Sequence, residues 1–249
     1  MKHQALFVSI GESFRTGSQN SRVRGLPESV PEQVEALKSH IELLNSQSTK
    51  PTLKVLTYKT PFSDLIKQHY SEFSPEITEF EHPIGYNNLV ANAINLARET
   101  APPDGWDFVF IFRIDLILKD KLSRLFNPQT GNVLYPSVCW ARDSRLFNGR
   151  HRVNDMFLFV PRDRLLDLYE GRIPLNHNAC EHMPADLYST VSFFLDTYHD
   201  SDSEKDKNPL YRIANRPESA VWHSEGLRLG DLGPARDETK TYDKVFSEG

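Results

Sequence analysis

Hydrophobic and polar positions along this chain fall into blocks with two different periods. Ala5 to Ile10 is a short, mostly apolar run of the kind that forms a strand buried on both faces. The stretch from Gly11 to Pro31, rich in Gly, Ser and Arg, is too polar for a core and predicts a loop. Pro31-Glu32 then opens a helix in which Val34, Leu37, Ile41 and Leu44 recur at helical spacing. Leu53 to Tyr58 predicts a second strand, and Pro61 a short helix through Leu65 and Ile66. Asn88 to Arg98 predicts a longer helix with Leu89, Val90, Ala93, Ile94 and Ala97 on one face. Trp106 to Leu118 is apolar on both faces and predicts a central strand. Strands near Val133 to Tyr135 and over Val153 to Val160 follow, with helices over Arg162 to Tyr169 and Ala185 to Tyr198. This alternation predicts a single α/β domain over 1–225, a mostly parallel central sheet flanked by helices. From about Gly226 the pattern fades, so 226–249 is expected to be a charged, poorly ordered tail.

Bulk properties narrow the partners. A chain of 249 residues is long enough for one sizeable core. Its net charge of -5, with Lys and Arg mostly scattered, argues against nucleic acid as a main partner. Arg142, Arg145, Arg150, His151 and Arg152 form the one basic cluster, suited to a lid over an anionic ligand. The first apolar run stops at Gly11, and no later segment is long enough to span a bilayer, so neither a signal peptide nor a membrane span is expected. Cys139 and Cys180 make no disulfide framework or metal-ligand spacing, which fits a cytoplasmic protein or a soluble domain excised from an anchored enzyme. No Gly-x-Gly-x-x-Gly follows the first strand, which argues against a dinucleotide-dependent dehydrogenase.

Arg113 and Asp115 interrupt the Trp106 to Leu118 run. Two apart on a strand, they would project to one face, on the side of Val109 and Ile111, near the carboxyl end where open α/β sheets bind ligands. A guanidinium fork suits phosphate oxygens, and a neighbouring carboxylate suits a hard divalent cation bridging them. The alternative is a structural Arg/Asp pair. Asp155 interrupts a second strand-like run and is a candidate general base or a turn-forming residue. Glu181, ahead of a predicted helix, is a second candidate base or a helix-dipole partner.

Three segments in order, Ala5-Leu6-Phe7-Val8-Ser9-Ile10-Gly11 with a following arginine, Phe110-Ile111-Phe112-Arg113-Ile114-Asp115-Leu116, and Val153-Asn154-Asp155-Met156-Phe157, resemble a group of GT-A-like glycosyltransferases of algae, fungi and large viruses. In these an Arg-x-Asp-Leu segment stands where better-known relatives carry Asp-x-Asp. The resemblance implies a nucleotide-sugar donor, a carbohydrate or other hydroxyl acceptor, and a divalent cation, Mn2+ or Mg2+. It further implies that Asp115 and a late histidine, His223, ligate the cation and that Arg113 meets the diphosphate. Ser9, Gly11 and Arg15 would lie against the nucleotide, and Asn88, after Gly85, would orient the donor or else cap the helix that opens there. Asp155 would lie across the crevice from Asp115. A non-catalytic sugar- or protein-binding domain on the same fold is the competing expectation.

Overall fold

The computed structural model describes residues 4–16, 23–82, 84–119, 122, 131–137, 156–173, 191–195 and 210–215. The strands are β1 (Ala5–Gly11), β2 (Arg15–Thr16), β3 (Val23–Arg24), β4 (Thr52–Tyr58), β5 (Glu76–Phe80) and β6 (Phe108–Arg113), followed by β7 (Leu116–Leu118), β8 (Val133–Ser137), β9 (Phe157–Pro161), β10 (Val191–Leu195) and β11 (Tyr211–Ile213). The helices are α1 (Val30–Asn45), α2 (Ser63–His69), α3 (Tyr86–Glu99) and α4 (Leu165–Tyr169). Seven strands form a mixed, mostly parallel sheet in the order β10-β8-β9-β6-β1-β4-β5. Only β9 runs against its neighbours, antiparallel to both β6 and β8.

Alternation along each strand builds one hydrophobic layer on either face. Phe7, Phe110, Phe112, Phe157 and Phe159 face Leu37 and Leu44 of α1 and Ile66 of α2. Their rings pack at centroid distances of 5.4 to 5.5 Å in the pairs Phe7–Phe110, Phe110–Phe112 and Phe110–Phe157, within the range where aromatic contact adds to simple burial. Leu6, Val8, Ile10, Val109 and Ile111 point the other way, onto Leu89, Val90, Ala93, Ile94 and Ala97 of α3 and Leu165 and Leu168 of α4. The helix-sheet-helix layering follows from these two apolar faces.

Three expectations need correction, and one strand was not foreseen. The run from Trp106 to Leu118 is two strands: Ile114 N–H makes the last bond to β1, at Ile10 C=O (2.7 Å), and at Asp115, whose C=O accepts from Ala214 N–H (2.8 Å), the chain passes to a second pairing. Leu116–Leu118 then pairs antiparallel with Tyr211–Ile213 in a separate two-stranded sheet. Val191–Leu195, expected within a helix over 185–198, is a strand parallel to β8; its Val-Ser-Phe-Phe-Leu sequence suits a pleated surface, and pairing overrode the helical pattern. The segment after β1 is not simply solvated loop, because Ser13, Phe14 and Arg15 are buried. Glu76–Phe80 extends the sheet beyond β4, an edge strand whose charged alternation gave little apolar signal. The tail from 226 lies outside the described residues.

Candidate functional site

From β1 the chain winds outward through β4 and β5, then returns to lay β6 on the other side of β1. Such a reversal opens a crevice beyond the carboxyl ends of the two central strands, where α/β sheets hold ligands. Ile10 pairs with Arg113 in the sheet register, so the segments leaving β1 and β6 begin side by side.

These segments meet through one carboxylate. Asp115, 1% exposed, accepts from Arg113 Nε at Oδ1 (2.9 Å) and from Arg113 Nη2 at Oδ2 (2.7 Å). Arg15 donates to the same Oδ2 from Nε (3.1 Å) and Nη2 (2.7 Å). Arg15 Nη1 also reaches Glu12 Oε2 at 3.3 Å. Burial alone would push the Asp115 carboxyl up, but the charges and hydrogen bonds of Arg113 and Arg15 outweigh it and hold the group well below the usual carboxylate range.

The turn from Arg113 to Leu118 is held by polar side chains of α1. Gln33 accepts from Phe14 N–H (3.0 Å) and donates to Ile114 C=O (2.7 Å), tying the β1 and β6 exits together. Ser39 Oγ accepts from Leu118 N–H at 2.9 Å. His40 Nε2 lies 2.6 Å from Leu116 C=O and Nδ1 lies 2.6 Å from the Tyr70 hydroxyl. The carbonyl can only accept, so Nε2 carries the proton and the Tyr70 hydroxyl donates to Nδ1. Burial lowers the His40 pKa to about 4, against the opposing pull of the Leu116 carbonyl and the Asp115 charge.

The loop beyond β1 is bent sharply ahead of Arg15. Gly11 has φ +120, a conformation closed to most side chains, and Phe14 is at φ 50 while fully buried. A left-handed non-glycine residue costs on the order of 1 kcal/mol, and such strain gathers where a side chain must be aimed. Thr57 Oγ1 donates to Gly11 C=O (2.9 Å) and therefore accepts from Ser13 Oγ (3.1 Å), while Gly25 N–H donates to Phe14 C=O (2.8 Å).

The structure thus brings Arg15, Arg113 and Asp115 together beside Gly11. Ser9 is elsewhere: it is fully buried and lies near the Tyr70 hydroxyl on the α1 and α2 side, though its own hydroxyl makes no well-formed hydrogen bond among the described residues. Asn88 sits exposed in the first turn of α3, its Nδ2 donating to Ile84 C=O (2.5 Å), and the helix is preceded by Gly85 at φ +79. Asp155, Glu181, His223 and the basic loop 142–152 lie outside the described residues. Glu12, Gln33, Ser39 and His40 were not singled out from sequence; for the last three the available signal was polar residues adjoining the apolar stripe of α1.

Asp115 does not fit the role of cation ligand in this arrangement. Three guanidinium N–H groups crowd its Oδ2 and a fourth holds Oδ1, placing two positive charges where a divalent cation would have to sit. Among the described residues, no group of three or more His, Cys, Asp or Glu side chains converges.

No protein-family model matches the chain, and no curated protein matches it. Solved structures do show similarity. The galactosyltransferase LgtC, in complex with donor and acceptor sugar analogues, aligns at 10% identity and TM-score 0.43 over 97% of this chain and 95% of that one. A 4-diphosphocytidyl-2C-methyl-D-erythritol synthase aligns at 11% identity and TM-score 0.47, over 88% and 94%. The glycosyltransferase GlyE of Streptococcus pneumoniae aligns at 14% identity and TM-score 0.36, covering 80% of this chain and 46% of that one, so this chain spans under half its length. Similarity at these values leaves the site's own chemistry as the ground for a functional reading.

Proposed function

We propose that this chain is a nucleotide-sugar-dependent glycosyltransferase whose donor diphosphate lies in the crevice between the carboxyl ends of β1 and β6. The observation that carries the reading is the convergence of Arg15 and Arg113, from segments on either side of the strand reversal, on one buried carboxylate. Two oriented guanidinium forks at a switch-point crevice suit the two phosphates of a sugar nucleotide. In transfer, the bond from the anomeric carbon to the β-phosphate oxygen breaks and a bond to the acceptor oxygen forms. The acceptor proton goes to a base, and the charge appearing on the leaving diphosphate is met by preorganised donors. Asp155 is the proposed base, with Glu181 as the second candidate. In sequence Asp155 directly precedes Met156, whose carbonyl accepts from Arg113 N–H at 3.1 Å.

The test is a thermal-shift screen against nucleoside diphosphates and nucleotide-sugars, followed by mass-spectrometric detection of sugar transfer or donor hydrolysis. A ligand at 100 times its Kd should add about 2.7 kcal/mol to the folded state. Stabilisation by one nucleotide class together with turnover supports the reading, and the absence of both across the panel defeats it. A non-catalytic binding domain is the second reading, favoured by the full engagement of Asp115 in ion pairs; it predicts ligand stabilisation without turnover.

A further inference from the structure

We propose, resting on the glycosyltransferase reading, that the counter-charge for the donor diphosphate is the Arg15 and Arg113 pair and not a divalent cation, with Asp115 as the positioning residue for both guanidiniums. A carboxylate that serves a cation must offer it lone pairs and negative charge. Asp115 offers little of either, because four N–H donors from two cations already converge on it. A divalent ion brought to its remaining lone pair would stand against two guanidiniums. The same geometry is well suited to an anion. Each arginine is gripped through Nε and one Nη, which fixes the plane of its fork, and fixed forks bind phosphate with less ordering cost than mobile ones.

Glu12 supplies a second, independent feature. Its carboxylate meets Arg15 Nη1 at 3.3 Å, with the Glu12 side chain 20% exposed and that of Arg15 6% exposed. Glu12 thus stands on the solvent side of a nearly buried arginine, bonded to a nitrogen that Asp115 does not hold. An incoming phosphate oxygen would compete with this carboxylate for Arg15. Affinity at such a site should depend on Glu12 and fall with salt, and it should not depend on a metal.

Isothermal titration with UDP, GDP, CDP and ADP, each in manganese chloride and again in excess EDTA, tests this on the full chain. The expected result is that whichever nucleotide binds keeps its affinity within about threefold in EDTA, less than about 0.7 kcal/mol. Glu12→Gln should tighten binding by several-fold in both buffers. Asp115→Asn should weaken it in both, whereas a metal ligand would lose only a manganese-dependent increment. Should Asp115→Asn fold too poorly to titrate, Arg113→Lys serves instead: it keeps the charge and loses the fork, and is expected to cost roughly tenfold in both buffers. Binding seen only with manganese overturns the inference and leaves the glycosyltransferase reading standing. Failure of every nucleotide in both buffers overturns the two together.

Discussion

Asp115→Asn perturbs the site at its centre while keeping the shape of the side chain. The amide oxygen can still accept, but the amide nitrogen would turn donors toward the guanidiniums, and the two cations lose their neutralising charge inside a buried cluster. Asp115 is 1% exposed and Arg15 5% exposed; breaking a buried ion pair from one side typically costs about 3 to 5 kcal/mol. In a protein of this size each kcal/mol moves the melting temperature by roughly 2–4 °C. A fall on the order of 6 to 20 °C is therefore expected by calorimetry, with a lower urea midpoint and an unchanged slope. Replacing the whole cluster, Arg15→Met with Arg113→Leu and Asp115→Leu, should recover much of the loss, because an apolar substitute avoids burying unpaired charge. The combined variant should bind no nucleotide. A single Asp115→Asn variant that melts within about 2 °C of the parent would refute the claim that Asp115 holds the two arginines. Acid tests the same interaction. The folded-state pKa of Asp115 is depressed, so its stabilisation is complete above the unfolded value near 4 and drains away only as pH falls through a folded value below the usual carboxylate range.

His40 titrates in a different window. Its folded pKa is lowered from 6.5 to about 4, so the unfolded chain binds the extra proton and stability should decline by about 3 kcal/mol as pH falls from 6.5 to 4. Urea denaturation across that range, compared with a His40→Gln variant expected to have a flatter profile there, checks it. Gln33→Met should cost about 2 to 5 kcal/mol in urea midpoint analysis by leaving Phe14 N–H and Ile114 C=O without their partner. A cost under about 1 kcal/mol would show that water replaces it. Ser9→Ala should change stability by less than about 1 kcal/mol, since the hydroxyl is buried without a well-formed bond. Nucleotide affinity should be unchanged, and a tenfold loss in titration would return Ser9 to the binding surface.

The framework was legible where one physical signal acted alone. Mostly apolar runs marked β1, β4 and β6, and the 3.6-residue stripe of α3 was buried as its sequence implied. The site was legible as residue types and not as partners. Arg113 and Asp115 stood out as charges in an apolar run, but nothing local tells that Arg15, one hundred positions earlier, shares the same carboxylate. Pairing at that separation is decided by the strand reversal, which brings the ends of β1 and β6 together only after the sheet has formed.

The stripe of α1 shows how much of the supporting structure a different reading of periodicity could reach. Taking Val34, Leu37, Ile41 and Leu44 as its inward face selects the most apolar residues, yet Val34 and Ile41 are only partly buried while Gln33 and His40 are wholly so. The buried line runs Gln33, Leu37, His40, Leu44 at four-three-four spacing where the apolar line runs three-four-three, so the two share Leu37 and Leu44 and differ by one position at the other two places. Polar members of a buried line must find hydrogen bonds, and regular strand backbone has few to offer because its groups are paired within the sheet. Irregular backbone has unpaired groups in need of partners. A glutamine and a histidine seven residues apart on the inward line of a helix therefore point to neighbouring backbone that no strand of the main sheet pairs. Here those groups are the carbonyl of Ile114, just past the end of β6, and that of Leu116 at the free edge of the two-stranded β7–β11 sheet, on either side of Asp115.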